Sequence, residues 1–238
     1  GVNTQAGRTA IAENEFACSM YASAMSRSLF GNTGTYATTG PVLINVTECA
    51  HTGTGLYGNV FLSAPLQDFN TGKEVDLRGG NRFKLFGLDA DVSAAWYYFG
   101  VAGGVNLQTL NIKTRVGHTF SITHNVKLEA YGVMDYQRSL TFGTDWLGLA
   151  GGGVLSANLP VPGSPNLRLG AEVWKWAVIT TPGNGPIGSF TADLGFQIPG
   201  TKITLGPRAH FTLGGIGDAH GSPFRKSFGV SVFAPFNF

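Results

Sequence analysis

The sequence predicts an all-β protein, a transmembrane, antiparallel, up-and-down β-barrel of about twelve strands. Three observations predict it. Apolar and polar residues alternate with a period of two in segments of roughly ten residues along most of the chain. The links between segments alternate between short turns and longer Gly- and Thr-rich stretches. Finally, the chain is 43% hydrophobic and only 13% charged, with a mean hydropathy of +0.08, so part of its surface must face something other than water.

Each segment repeats one code. In residues 74 to 85, Glu74, Asp76, Arg78, Arg82 and Lys84 alternate with Val75, Leu77, Phe83 and Leu85. Asp89, Asp91 and Ser93 then alternate with Leu88, Ala90 and Val92, and Lys113 and Arg115 with Ile112 and Val116. Lys127, Glu129 and Asp135 alternate with Val126, Leu128 and Met134. Asp193 alternates with Leu194, and Arg208 and His210 with Ala209 and Phe211. A soluble sandwich strand alternates too, but this many ten-residue repeats in a chain so poor in charge read as polar-in, apolar-out membrane strands.

The expected strands lie near 15 to 27, 41 to 52, 56 to 66, 74 to 86, 89 to 100, 107 to 122, 126 to 138, 147 to 160, 167 to 179, 187 to 198, 202 to 213 and 224 to 238. An even count returns both chain ends to one side. Short turns at 52 to 55, 87 to 89, 123 to 125, 162 to 166 and 199 to 201 read as periplasmic. Longer links at 28 to 40, 67 to 73, 139 to 146, 180 to 186 and 214 to 223 read as extracellular. Residues 15 to 238 form the barrel domain. Residues 1 to 14 lack alternation and are expected at the periplasmic end or as a small plug in the lumen. The N-terminus also lacks the basic start and apolar core of a signal peptide, which suits a mature chain.

Aromatic residues test the threading, because amphipathic rings collect at membrane interfaces. Trp96, Tyr98, Tyr136, Trp146, Trp174 and Trp176 fall at the extracellular ends and are expected in an outer girdle, with Phe236 and Phe238 among the rings of the inner one. The last segment, F-G-V-S-V-F-A-P-F-N-F, resembles the C-terminal targeting strand of outer-membrane proteins, which the barrel-assembly machinery recognises. G-L-Y-G-N-V-F-L-S (55 to 63), E-V-D-L-R-G-G (74 to 80) and A-W-Y-Y-F (95 to 99) resemble a family of uncharacterised proteobacterial outer-membrane barrels. That resemblance implies the bacterial outer membrane, with its lipid and lipopolysaccharide as surroundings, and no particular chemistry.

By alternation the lumen is lined by Glu74, Asp76, Arg78, Arg82, Lys84, Asp89, Asp91, Lys113, Arg115, Lys127, Glu129, Asp135, Arg168, Glu172, Asp193, Arg208 and His210. Both signs are present, so strong ion selectivity is not expected, and many of these groups are expected to brace one another. Arg78, Arg82 and Lys84 make a basic ladder, and Lys84 and Arg82 are expected to face Asp91 and Ser93, in that order, across the turn at 87 to 89. Cys18 and Cys49 fall opposite each other when the first two segments fold into a hairpin, so a disulfide is feasible if both share a face.

No dedicated site emerges. His210 in the wall, and His220 with Asp218 and Ser222 in the last loop, are the histidines placed for a lipid-modifying enzyme of the outer rim, and G-D-A-H-G-S reads more simply as a polar loop. G-L-A-G-G-G (148 to 153) stands in a strand, where glycines permit bending or close packing beside bulky neighbours rather than phosphate binding. No cofactor and no metal are expected, and the dispersed charge, net +2, argues against nucleic acid. The functional expectation is a passive channel for small polar solutes. A structural or assembly barrel with a plugged lumen comes second, and a lipid-modifying enzyme third.

Overall fold

The computed structural model describes residues 15–30, 33, 35–36, 38, 40–67, 73–100, 106–176, 185–215 and 224–237. Residues 1 to 14, Phe238, and the loop carrying Asp218, His220 and Ser222 lie outside the described residues, so the expectations placed on them remain as stated. Twelve strands close into one antiparallel barrel: β1 (Phe16–Met25), β4 (Val42–His51), β5 (Leu56–Pro65), β6 (Lys73–Leu85), β7 (Leu88–Gly100), β8 (Asn106–Ser121), β9 (Val126–Ser139), β10 (Asp145–Asn158), β11 (Asn166–Trp176), β12 (Ile187–Gln197), β13 (Thr204–Leu213) and β14 (Phe224–Asn237). Two short strands missed by alternation, β2 (Leu29–Phe30) and β3 (Thr35–Tyr36), pair within the first long link. Each strand pairs with its sequence neighbour in the barrel, and β1 meets β14 from Ala17↔Asn237 to Met25↔Gly229, so no edge remains.

Alternation sets the two faces. On the outside Ile112, Leu149 and Phe228 are each about half exposed, at 52%, 50% and 49%, and most outward positions of the other strands carry Leu, Val, Phe or Ala. In water that surface would be a large unpaid apolar patch, whereas in a bilayer it is the matched face. Outward-facing Trp96, Tyr98 and Tyr136 stand at the ends remote from the termini. Phe83, Phe120, Phe196 and Phe236 stand toward the other rim.

Turn chemistry fixes register. Between β6 and β7 the turn is two residues long, and Phe86 and Gly87 have φ of 49° and 83°. Both central positions must be left-handed for such a turn to match strand twist. Phe86 tolerates this at 97% exposure. The turn therefore pairs Lys84 with Asp89 and Arg82 with Asp91, and sets Ser93 against Gly80. The expected facing of Lys84 with Asp91 and of Arg82 with Ser93 is corrected: each of the two pairs with a residue two positions nearer the turn. The turn is Phe86-Gly87 rather than 87 to 89, and that difference moves the Lys84 partner by two residues.

Candidate functional site: the barrel lumen

Inward side chains form linked clusters. Arg82 on β6 reaches across β5 to Glu48 on β4, with Nη1 donating to Oε1 at 2.7 Å and Nη2 to Oε2 at 2.8 Å. Its Nε donates to Asp91 at 3.3 Å, and its guanidinium lies 4.0 Å from the Tyr57 ring centroid. Tyr57 donates its hydroxyl to the same Asp91 at 2.8 Å, and Asn59 donates to Glu48 at 3.3 Å. One cation thus holds two carboxylates. Toward the turn end, Lys84 and Asp89 pair at 2.7 Å in a more exposed position.

The next cluster is centred on β7 and β8. Arg78 donates to Ser93 at 2.7 Å and to Asn111 at 3.2 Å, and also bonds Tyr97. Tyr97 donates to Asn111 at 2.8 Å, and Asn111 in turn donates to Asp135. Asn111 and Asp135 are only 1% and 2% exposed, so solvent scarcely reaches this part of the wall. On the far side Arg115 pairs with Glu129 at 2.6 Å and stacks 3.9 Å from the Tyr131 centroid. Tyr131 donates to Glu172 at 2.9 Å. Arg208 pairs with Asp193 at 3.2 Å and also donates to the Tyr21 hydroxyl. Arg168 stands opposite Asp193 in register, and Lys127 sits exposed at the turn end.

Three tryptophans assigned to the outer girdle are corrected by this geometry. Trp174 and Trp176 share the inward parity of Glu172 on β11, and Trp146 the inward parity of Gly148 on β10. Trp174 is 1% exposed and stacks on Trp176 at 5.8 Å between centroids. With Val133 and Ile187 they form an apolar cluster inside the barrel, against which Tyr131, Trp146 and Ala150 pack. Lys113 lies 5.4 Å from the Trp174 ring centroid, and the Trp174 indole donates to Glu172. Interface preference is a weaker guide than strand parity when a barrel is wide enough to need interior filling.

The glycine run of β10 makes that filling possible. A Cβ on Gly148 would stand 2.9 Å from the Trp176 ring, and one on Gly152 would stand 2.6 Å from the Ala171 carbonyl oxygen and 2.9 Å from the Tyr131 hydroxyl. Both are inward. Outward Gly151 has nothing within 4 Å of the same position. The expected close packing beside bulky neighbours is thus located at Gly148 and Gly152.

His210 also faces the lumen, with Nε2 3.0 Å from the Ser189 hydroxyl. Ser189 is 7% exposed and belongs to the inner wall between β12 and β13, away from the outer surface where a lipid ester would dock. Cys18 and Cys49 are directly paired in register and joined by a disulfide, with Cα atoms 4.1 Å apart. Their neighbours Ser19 and Glu48 point inward, so the bridge lies on the outer wall. Sequence reasoning missed Glu48, Tyr21, Tyr57, Tyr97 and Tyr131, whereas Asn111 shares the inward alternation of Lys113 and Arg115. Glu48 sits in a weakly alternating strand, and the tyrosines share parity with inward Asn59, Ser93 and Glu129, which was the available signal.

The closed twelve-strand wall, apolar exterior and charged interior define a bacterial outer-membrane β-barrel. Solved structures agree in fold. The NanC porin superposes with a TM-score of 0.52 at 10% identity, over 90% of this chain and 98% of the porin. A bacterial polysaccharide outer membrane secretin gives 0.52 at 7% identity, over 95% and 100% of the two chains. An outer membrane channel from Pseudomonas putida F1 gives 0.50 at 8% identity, over 95% and 97%. Such identities speak for the fold alone. No protein-family model matches the chain, and no curated protein matches its sequence.

Proposed function

We propose that the protein is a passive outer-membrane channel for small polar solutes, with a narrow path and weak charge selectivity. The observation that carries this reading is the polar, doubly signed inward face, in which Arg82, Arg115 and Arg208 are each held by carboxylates and stacked on or bonded to tyrosine. A wall that only faced packed apolar side chains would have no use for so many charges, each expensive to bury. Paired charges produce local transverse fields rather than one overall sign. The tryptophan cluster fills the part of the interior lined by β9 to β12. Residues 1 to 14 cap or plug the periplasmic end, and insertion proceeds through the barrel-assembly machinery acting on the terminal strand.

The test is single-channel recording in planar bilayers. Small, weakly selective conductance is expected. Replacing Arg78, Arg82 and Lys84 together with neutral residues should shift the reversal potential toward cations, with the effect shrinking as the screening length falls from ~10 Å at 0.1 M salt to ~3 Å at 1 M. A second reading is favoured by the near-total burial of Asn111, Asp135 and Trp174, which would suit a structural barrel with a filled lumen. A wild-type barrel that inserts and never conducts would establish that reading and end the channel proposal.

A further inference from the structure

One acidic pair stands outside the ion-paired network. Glu74 and Asp76 occupy successive inward positions of β6 near its loop end, with their carboxyl groups within hydrogen-bonding reach of each other. Glu74 is 5% exposed. Its Oε2 and the Oδ1 of Asp76 are buried without a hydrogen-bond partner among the described residues. By contrast Glu48, Asp91, Glu129 and Asp193 each meet an arginine. Arg78, at the next inward position, directs its guanidinium to Ser93, Tyr97 and Asn111.

Two carboxylates held together in a poorly hydrated wall repel one another, and an unsatisfied anionic oxygen there is costly. A neutral pair would need a proton, and two ionised groups need a counter-charge. We propose that Glu74 and Asp76 hold a divalent, oxygen-ligated cation of the calcium class in the loop half of the lumen. Ser63 lies directly opposite Glu74 in register and Tyr97 directly opposite Asp76, with the Tyr97 hydroxyl held by Arg78 and Asn111, so the two carboxylates and water supply the oxygens. Calcium accepts irregular sets of carboxylate, hydroxyl and water oxygens, whereas magnesium demands a near-ideal octahedron that this one-sided arrangement does not offer. With two protein carboxylates the affinity belongs to the weak class, with Kd on the order of 10⁻⁴ to 10⁻³ M. The site depends on the wall geometry alone and stands or falls independently of conduction.

Terbium provides the probe, because it replaces calcium at oxygen sites and emits when a neighbouring aromatic ring is excited. Tyr97, opposite Asp76, is placed to sensitise it. The purified barrel in a detergent without phosphate should show sensitised emission that calcium displaces at lower concentration than magnesium. Glu74→Gln, Asp76→Asn and the double variant should each weaken binding at least tenfold, while Asp89→Asn, whose carboxylate is held by Lys84, should leave it intact. Heat-modifiable gel mobility checks that each variant is folded, and the single variants serve if the double one is not. Emission unchanged in the folded single variants would mark an adventitious ion only. No emission from the wild type would mean that the pair shares a proton instead. Either result overturns the site.

Discussion

Replacing Arg82 with Met removes the most heavily used cation in the lumen. The guanidinium makes two short bonds to Glu48 and a longer one to Asp91, and the Glu48 side chain is 8% exposed against 22% for Arg82. Met preserves most of the aliphatic stem and removes the guanidinium that lies over Tyr57, so the change is mainly one of charge. Glu48 is then left inside the wall without its cation, with Asn59 still donating to it, and Asp91 keeps the Tyr57 hydroxyl. Breaking a buried pair by deleting one partner typically costs about 3 to 5 kcal/mol. The partial exposure of Arg82 favours the lower end, about 3 kcal/mol. With a urea slope of about 2 kcal/mol/M, the unfolding midpoint should drop by roughly 1.5 M. The assay is reversible urea unfolding in lipid vesicles, followed by tryptophan fluorescence. Adding Glu48→Gln to Arg82→Met should recover part of the loss, because the orphaned charge disappears with it. A midpoint within about 0.3 M of wild type for Arg82→Met, well below the expected drop, would refute the argument that this network bears on stability.

Three further outcomes are expected. Gly152→Val should destabilise by about 2 kcal/mol or more, since any Cβ there runs into the Ala171 carbonyl and the Tyr131 hydroxyl. Gly151→Val, one residue away on the open outer face, should leave the urea midpoint unchanged or raised. Cys18→Ser with Cys49→Ser should fold but lose about 3.7 kcal/mol, the loop-closure value for a sequence separation of 31, read from the same urea titration. Deleting residues 1 to 14 should leave insertion intact and raise single-channel conductance, and an unchanged conductance would exclude the plug.

Period-two alternation made the barrel legible, and it located most strand ends to within about two residues because an apolar-out strand cannot slip by one without turning its charges to lipid. The lumen charges from Glu74 to Arg208 followed from the same parity. What failed was reasoning that set parity aside. Trp174 and Trp176 stand in step with Glu172, but a general preference of tryptophan for interfaces drew them outward. The partner of Lys84 depended on whether Phe86 accepts a left-handed conformation, which no alternation encodes. Glu48 lay hidden because β4 carries Asn45 and Thr47 on its outer face, which blurs the contrast on which the period depends. The tyrosine contacts of Arg82 and Arg115 are long-range packing, fixed only when strands several places apart in the wall are brought together.

The bridge between Cys18 and Cys49 joins β1 to β4, and β1 is also the strand that seals the cylinder against β14. Once oxidised, β1 and β4 are a covalently joined pair, and the free side of β1 awaits β14. The final zippering therefore joins a strand already held in register to one that is not, and the search is one-sided. A reducing environment before export would leave both edges loose, so the timing of oxidation relative to insertion sets how long an unpaired edge is offered to other chains. The bridge's contribution on this view is kinetic as well as energetic: it shortens the interval during which the wrong neighbour can be accepted.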